Sequence, residues 1–321
     1  MQFRLSNFGE QQDNAAEPGA EVVVQPRKLS RRKKAARAAD IKRRPSLLQR
    51  IMGRRSASVD VLPHATFSVT AMGVRSMVCA GNGSPTVVFE AGLGHGKRTW
   101  GTVFSAVSAF TRAVAYDRAG YGQSEVSKQS RDGLQIVLEL RAMLQTEEIK
   151  PPYVLVGHSL GGTYMKLFAK TFPQEVVGVV LVDARHAEFT QRCQQLGVPR
   201  MLYNPPEALL AMLPATARSE LEAAPLTLKQ TRRAGPFPAV PLIILTPSDA
   251  ATRWPGGIKK VWAASQRSLA RMSRLGRIKK LDDASHNLHK DRPDVVVKAV
   301  LNVVRAARYL ASRNSRKRRV R

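Results

Sequence analysis

Acidic residues are scarce in this chain: 24 Asp and Glu stand against 52 Lys and Arg in 321 residues, a formal net charge of +28. Cysteine is scarcer still, with only Cys79 and Cys193. Neither a disulfide framework nor a cysteine metal cluster is therefore implied, and a reducing compartment fits. No stretch approaches the roughly 20 apolar residues that a membrane-spanning helix needs, and no apolar segment follows the first basic residues as a secretory leader would require. Glu10, Asp13, Glu17 and Glu21 count against an organellar transit peptide. Neither G-x-G-x-x-G nor G-x-x-x-x-G-K-[ST] occurs, which excludes the common dinucleotide and phosphate loops.

The positive charge is unevenly spread. Residues 27–55 hold 13 Lys and Arg against one acid, Asp40, and residues 305–321 add eight more with none, so these two segments supply +20 of the +28. They read as solvated extensions, with three sharper alternatives: contact with nucleic acid, contact with an anionic membrane, or an address tag. For the membrane, Leu47, Leu48, Ile51 and Met52 amid basic residues could lie on lipid. For an address, Arg31-Arg32-Lys33-Lys34 with Lys42-Arg43-Arg44 would suit a bipartite nuclear signal in a eukaryotic host. The chain divides accordingly into a disordered basic extension (1–55), a body (56–304), and the end of a closing helix with a basic tail (305–321). The stretch from Arg253 to Lys280 is also basic, with nine Lys and Arg and no acid.

Within the body, short apolar runs alternate with helical patterns. Residues 67–79 alternate about Gly73 as in a hairpin, and strands are expected at 86–90, 112–116, 154–156 (emptying into Gly157), 176–182, 240–246 and 277–281. Helices are expected at 100–110, 134–144, 162–170 and 261–275, and from Pro293 to about 311. Residues 187–236 break this rhythm and read as a helical insertion over the strand tips. Apolar strands alternating with helices imply a mostly parallel α/β sheet with helices on both faces. Ligands then bind at the carboxyl ends of the strands.

One of those ends carries Gly157-His158-Ser159-Leu160-Gly161, a G-x-S-x-G between a strand and a helix. The pentapeptide alone is a weak signal; the strand–turn–helix context strengthens it. A sharp turn projects the serine hydroxyl towards a base, and the helix N-terminus leaves the Leu160 N–H free to face a developing oxyanion. Ser159 is thus the candidate nucleophile. Of six histidines, His286 follows the last strand and is the candidate base, with His289 its rival. Asp183 ends one strand and Asp249 lies just past the next, and either could orient the imidazole. The glycine-rich turn Gly92-Leu93-Gly94-His95-Gly96 offers Leu93 N–H as a second oxyanion donor.

Five segments in order resemble the α/β-hydrolase superfamily. These are Gly83-Ser-Pro-Thr-Val-Val-Phe-Glu-Ala-Gly-Leu-Gly94 with Trp100; Tyr116-Asp-Arg-Ala-Gly-Tyr-Gly-Gln-Ser124; Pro152-Tyr-Val-Leu-Val-Gly-His-Ser-Leu-Gly-Gly162; Leu181-Val-Asp-Ala-Arg-His186; and Ser285-His286 followed by Asp291-Arg-Pro293. Together they cover about residues 66–305. The resemblance implies the α/β-hydrolase fold, with an eight-stranded sheet, a small helical cap at about 187–236, a Ser–His–acid triad and no cofactor. It favours Asp183 over Asp249, because Asp-x-x-His after the sixth strand belongs to the pattern. It also implies a serine esterase-like enzyme acting on a small acyl substrate; the cysteine usage and the absence of an apolar leader add the expectation of a cytoplasmic location, free or peripheral to a membrane. The competing reading is a catalytically weak or inactive hydrolase scaffold whose basic arms bind nucleic acid or anionic membrane.

Overall fold

The computed structural model describes residues 62–186, 188–199, 211–248 and 256–319. The N-terminal extension and Asp249 lie outside these residues, and so does Leu47–Met52. Eight strands form one sheet: β1 (Thr66–Thr70), β2 (Gly73–Ala80), β3 (Thr86–Glu90), β4 (Ala113–Tyr116), β5 (Tyr153–His158), β6 (Val176–Val182), β7 (Leu242–Pro247) and β8 (Gly276–Leu281). The spatial order is β1-β2-β4-β3-β5-β6-β7-β8. β2 runs antiparallel to both β1 and β4, and every other pairing is parallel. The expected mostly parallel α/β-hydrolase sheet is therefore present.

The helices are α1 (Gly101–Ser108), α2 (Gly133–Thr146), α3 (Leu160–Thr171), α4 (Phe189–Gln195), α5 (Ala215–Glu222), α6 (Ala224–Arg233), α7 (Gly256–Ala270), α8 (Leu288–Asp291) and α9 (Pro293–Arg319). Central strands read as unbroken apolar runs because both faces are covered. Along β5, Leu155 faces one core with α2 and α3, while Val154 and Val156 face the other with α1 and α9. β6 divides in the same way, Val179 and Leu181 against Val180 and Val182.

α9 buries Val296, Val300, Val303, Val304 and Ala307 at helical spacing. Burial of each valine contributes about 1.5–3 kcal/mol before entropy is counted. The helix continues to Arg319, past the expected end near residue 311. Residues 305–319 contain no Gly or Pro and are rich in Ala and Arg, so nothing local stops the ladder. In this stretch the basic tail is helical.

The insertion holds α4, α5 and α6 among its described residues. α6 docks on the start of α2. Asp132 caps α2 by accepting from Leu134 and Gln135 N–H and also accepts from Gln230 Nε2 at 2.6 Å. Thr227 Oγ1 accepts from Gly133 N–H at 2.8 Å. Trp262, on α7, packs edge-on against Phe189 of α4.

Candidate active site

β5 empties into Ser159, whose backbone lies at φ 52°, ψ −119°. A positive φ at a residue with a side chain costs about 1–3 kcal/mol, so its surroundings must hold it. Ser159 N–H donates to Val182 O at 3.1 Å, and Ser159 O accepts from Gly162 and Arg185 N–H. The turn also needs close approach of backbone. A Cβ at Gly161 would sit 2.3 Å from Ala91 O, and one at Gly162 would sit 2.4 Å from the Ala184 methyl. No L side chain fits either place, which is why Leu160, the first residue of the helix after the serine, is followed by two glycines.

The tips of β6 and β7 supply the acid. Asp183 N–H donates to Leu245 O at 2.7 Å, and the residue takes φ 42°, turning its carboxylate across the sheet edge. Oδ1 accepts from Thr246 Oγ1 and Trp262 Nε1, both at 2.8 Å. Oδ2 lies 2.7 Å from His286 Nδ1. Asp183 is buried, whereas the His286 side chain is 48% exposed, so one end of the imidazole is fixed and the other opens to solvent. Asp291 supports this loop by accepting from Ser285 N–H at 2.7 Å and Ser285 Oγ at 2.6 Å.

The other histidines occupy different environments. His289, the rival base, is buried; its Nε2 lies 2.8 Å from Thr99 Oγ1 and its ring packs against Trp100. Burial pushes its pKa down to about 3, with Lys290 adding to the effect. His158 is buried behind the elbow. Its ring stands 4.7 Å from that of His286, and its Nε2 lies 2.9 Å from His286 O. Burial and the neighbouring imidazoles hold His158 well below the usual histidine range, so it is neutral and its Nε2–H ties the elbow to the His286 loop. His286 alone, among the described histidines, lies against a carboxylate.

Leu93 lies in the loop after β3. A Cβ on Gly92 would come within 3.3 Å of Ser159 Cβ, so this loop runs directly beside the nucleophile. Leu160 is the first residue of α3, ahead of the helical hydrogen-bond ladder. Beneath the loop lies a buried ionic group. Glu90 and Arg118 pair at 2.6 Å, and Glu220 from α5 meets the same guanidinium. Burial raises the Glu90 carboxyl pKa. Burial also acts to lower that of Arg118, but Glu220 and Glu90 outweigh this and keep it protonated.

Thus Ser159 lies on the elbow, Asp183 and His286 are in contact, and Leu93 and Leu160 bracket the serine in the chain and in the loop packing. Sequence reasoning missed Thr246, Trp262 and Glu220, and it quoted Asp291 within a motif without giving it a role. An acid closing the otherwise apolar run of β3 was a signal that Glu90 has a buried cation as partner.

Residues 87–299 match the alpha/beta hydrolase family; the chain belongs to that family. It is 26% identical over 245 residues to the uncharacterized protein YqjL of Bacillus subtilis, covering 75% of this chain and 92% of that one. Among solved structures, an esterase from Thermogutta terrifontis superposes with a TM-score of 0.56 at 15% identity, covering 76% of this chain and 99% of the esterase. The enol-lactonase from Burkholderia xenovorans LB400 also gives 0.56, at 19% identity, covering 74% and 99%. Likeness at such identity establishes the fold, and the chemistry has to be argued from the site. Among the described residues, no helix is long and apolar enough to cross a membrane.

Proposed function

We propose that this protein is a serine hydrolase that cleaves an ester, thioester or related acyl bond through an acyl-enzyme on Ser159. The observation that carries the reading is the 2.7 Å contact between Asp183 Oδ2 and His286 Nδ1, together with a Ser159 held at φ 52° on a strand–helix elbow whose preceding residue, His158, has its ring 4.7 Å from that of His286. Asp183 accepts the Nδ1 proton and so leaves the Nε2 lone pair to act as base. His286 takes the Ser159 proton as Oγ attacks the acyl carbon, then gives it to the leaving alcohol or thiol. Leu93 and Leu160 N–H groups stabilise the tetrahedral oxyanion. Water, deprotonated by the same imidazole, then releases the acid and restores Ser159. The cycle uses no cofactor. The esterase and the enol-lactonase that share the fold act on related bonds, which agrees with a carboxylic ester as substrate.

The test is labelling with a fluorophosphonate probe, which reports an activated serine without a guess about substrate. Wild-type protein is expected to label, and Ser159→Ala and His286→Ala to lose labelling. A folded wild-type protein that stays unlabelled would remove the reading.

A second reading concerns the arms. α9 extends to Arg319 as a basic helix beyond its last buried valines. It suits an anionic polymer or surface, by which a cytoplasmic enzyme would be held at nucleic acid or at a membrane. Binding there would fall steeply with salt.

A further inference from the structure

Arg118 is buried, and all of its N–H groups have an acceptor. Nε and Nη2 form a fork on Glu220, at 2.8 Å to Oε1 and 3.0 Å to Oε2. Nη1 donates to Glu90 Oε1 at 2.6 Å and to Ala91 O at 2.7 Å. Nη2 donates its other proton to Gly92 O at 3.0 Å. Tyr121 repeats the pattern two residues further along the loop, since its hydroxyl donates to Glu220 Oε2 at 3.1 Å and accepts Gly94 N–H at 3.3 Å. The backbone of Ala91, Gly92 and Gly94 is therefore gripped on both sides of Leu93, and both grips end on Glu220.

Glu220 comes from the inserted cap. It is fully buried on α5, and α5 has no slack there, because a Cβ on Gly120 would lie 2.0 Å from Thr216 Oγ1. The Arg–carboxylate fork is a directional, charge-assisted contact. Removing one partner of a buried ion pair leaves the other charge uncompensated, and the remaining groups rearrange to solvate it.

We propose that Glu220 is a positioning residue for the oxyanion loop: through Arg118 and Tyr121 it fixes the chain on either side of Leu93, so that oxyanion stabilisation depends on a docked cap. For its catalytic consequence the inference rests on the serine-hydrolase reading above. The carbonyls of Ala91 and Gly92 are held by the guanidinium, so the peptide planes around Leu93 cannot turn while the fork is made. Undocking α5 withdraws the carboxylate that aligns Arg118, and Leu93 N–H is freed to swing from the oxyanion position. An empty, open cap then gives a folded enzyme with its Ser–His–Asp set intact and its oxyanion donor out of place.

The experiment combines two readouts on Glu220→Gln and Glu220→Ala. Hydrogen exchange followed by mass spectrometry is expected to show faster exchange at residues 91–96 in Glu220→Ala, with β6 unchanged. Displacement of a reacting group by about 1 Å costs up to about 100-fold. Phosphonylation by the fluorophosphonate probe should accordingly slow by about 100-fold in Glu220→Ala and about 10-fold in Glu220→Gln. KM for a p-nitrophenyl ester should stay within about threefold. A protein in which Glu220 merely adds stability would lower its melting temperature and leave the phosphonylation rate alone at a temperature where it is folded. That result overturns the inference, as does wild-type exchange at 91–96 in folded Glu220→Ala. If the wild type fails to label at all, the serine-hydrolase reading falls, and exchange at 91–96 still decides the coupling. Should Glu220→Ala not fold, Tyr121→Phe cuts the Glu220–Gly94 link while keeping the ring, with an expected loss of about threefold to tenfold; no loss overturns the link.

Discussion

Two buried carboxylates serve this site, Asp183 by contact with His286 and Glu220 by way of Arg118 on the loop beside Ser159, and they are held in opposite ways. Asp183 receives neutral donors, Thr246 Oγ1 and Trp262 Nε1, on one oxygen and leaves the other to His286. Glu220 sits in an ionic cluster with Arg118 and Glu90 and spends both oxygens there. Neutral donors position an anion while leaving its charge for a partner that becomes cationic during reaction. A buried fork neutralises the anion and converts it into a rigid strut. Proton transfer needs the first arrangement, and orientation of backbone needs the second.

The largest way to break the comparison is Asp183→Asn. The amide keeps the shape but no longer demands the Nδ1–H tautomer, and kcat should fall about 10³–10⁴-fold with little change in KM. Steady-state hydrolysis of a p-nitrophenyl ester measures it; a loss below tenfold would shift the acid's role away from Asp183.

A smaller effect sharpens the contrast by looking at a buried charge that has no carboxylate. Lys166, on α3, lies buried with Nζ donating to Arg185 O at 2.8 Å. Burial pushes its pKa down to about 7, with Lys170 contributing. The unfolded chain, with an ordinary lysine pKa near 10.4, binds more protons than the folded one between that value and 7. This residue therefore costs stability increasingly as pH falls through that window, and the whole cost is present below 7. Lys166→Met should stabilise by about 1–4 kcal/mol below pH 7, with the gain fading towards pH 10. Thermal unfolding across pH reads it, and a destabilised variant at pH 6 would contradict it.

Smallest is Trp262→Phe. It removes one donor from Asp183 Oδ1 while Thr246 remains, so kcat should fall by less than about tenfold. A loss as large as that of Asp183→Asn would mean that the indole holds the whole loop.

Ser159 and His286 were legible in the sequence, the acid was narrowed only to Asp183 or Asp249 with the family resemblance favouring Asp183, and the Glu220 side was not legible. Ser159, Asp183 and His286 each end a strand or follow one: Ser159 after β5, Asp183 after β6, His286 after β8. Strand periodicity and chain order bring such residues together, and the order Ser–Asp–His narrows them further. Glu220 lies in Ala215–Glu222, a helix of low hydrophobicity in a stretch without clear rhythm, and it meets Arg118 across a sequence separation of 102 residues. No local pattern encodes a contact of that span. The helical continuation to Arg319 was missed for a different reason: a cationic run suggests solvent, and solvent is compatible with a helix as well as with a coil.

The basic strand β8 has a consequence unrelated to any ligand. It ends the sheet, and Arg277, Lys279 and Lys280 are exposed along it. A sheet margin offers unpaired peptide groups on which another chain could polymerise, and cations there repel a second copy of the same margin. Like charges brought to the 4.7–4.9 Å spacing of paired strands would oppose that growth. Part of this chain's excess of lysine and arginine thus guards one of the two margins of its largest structural element.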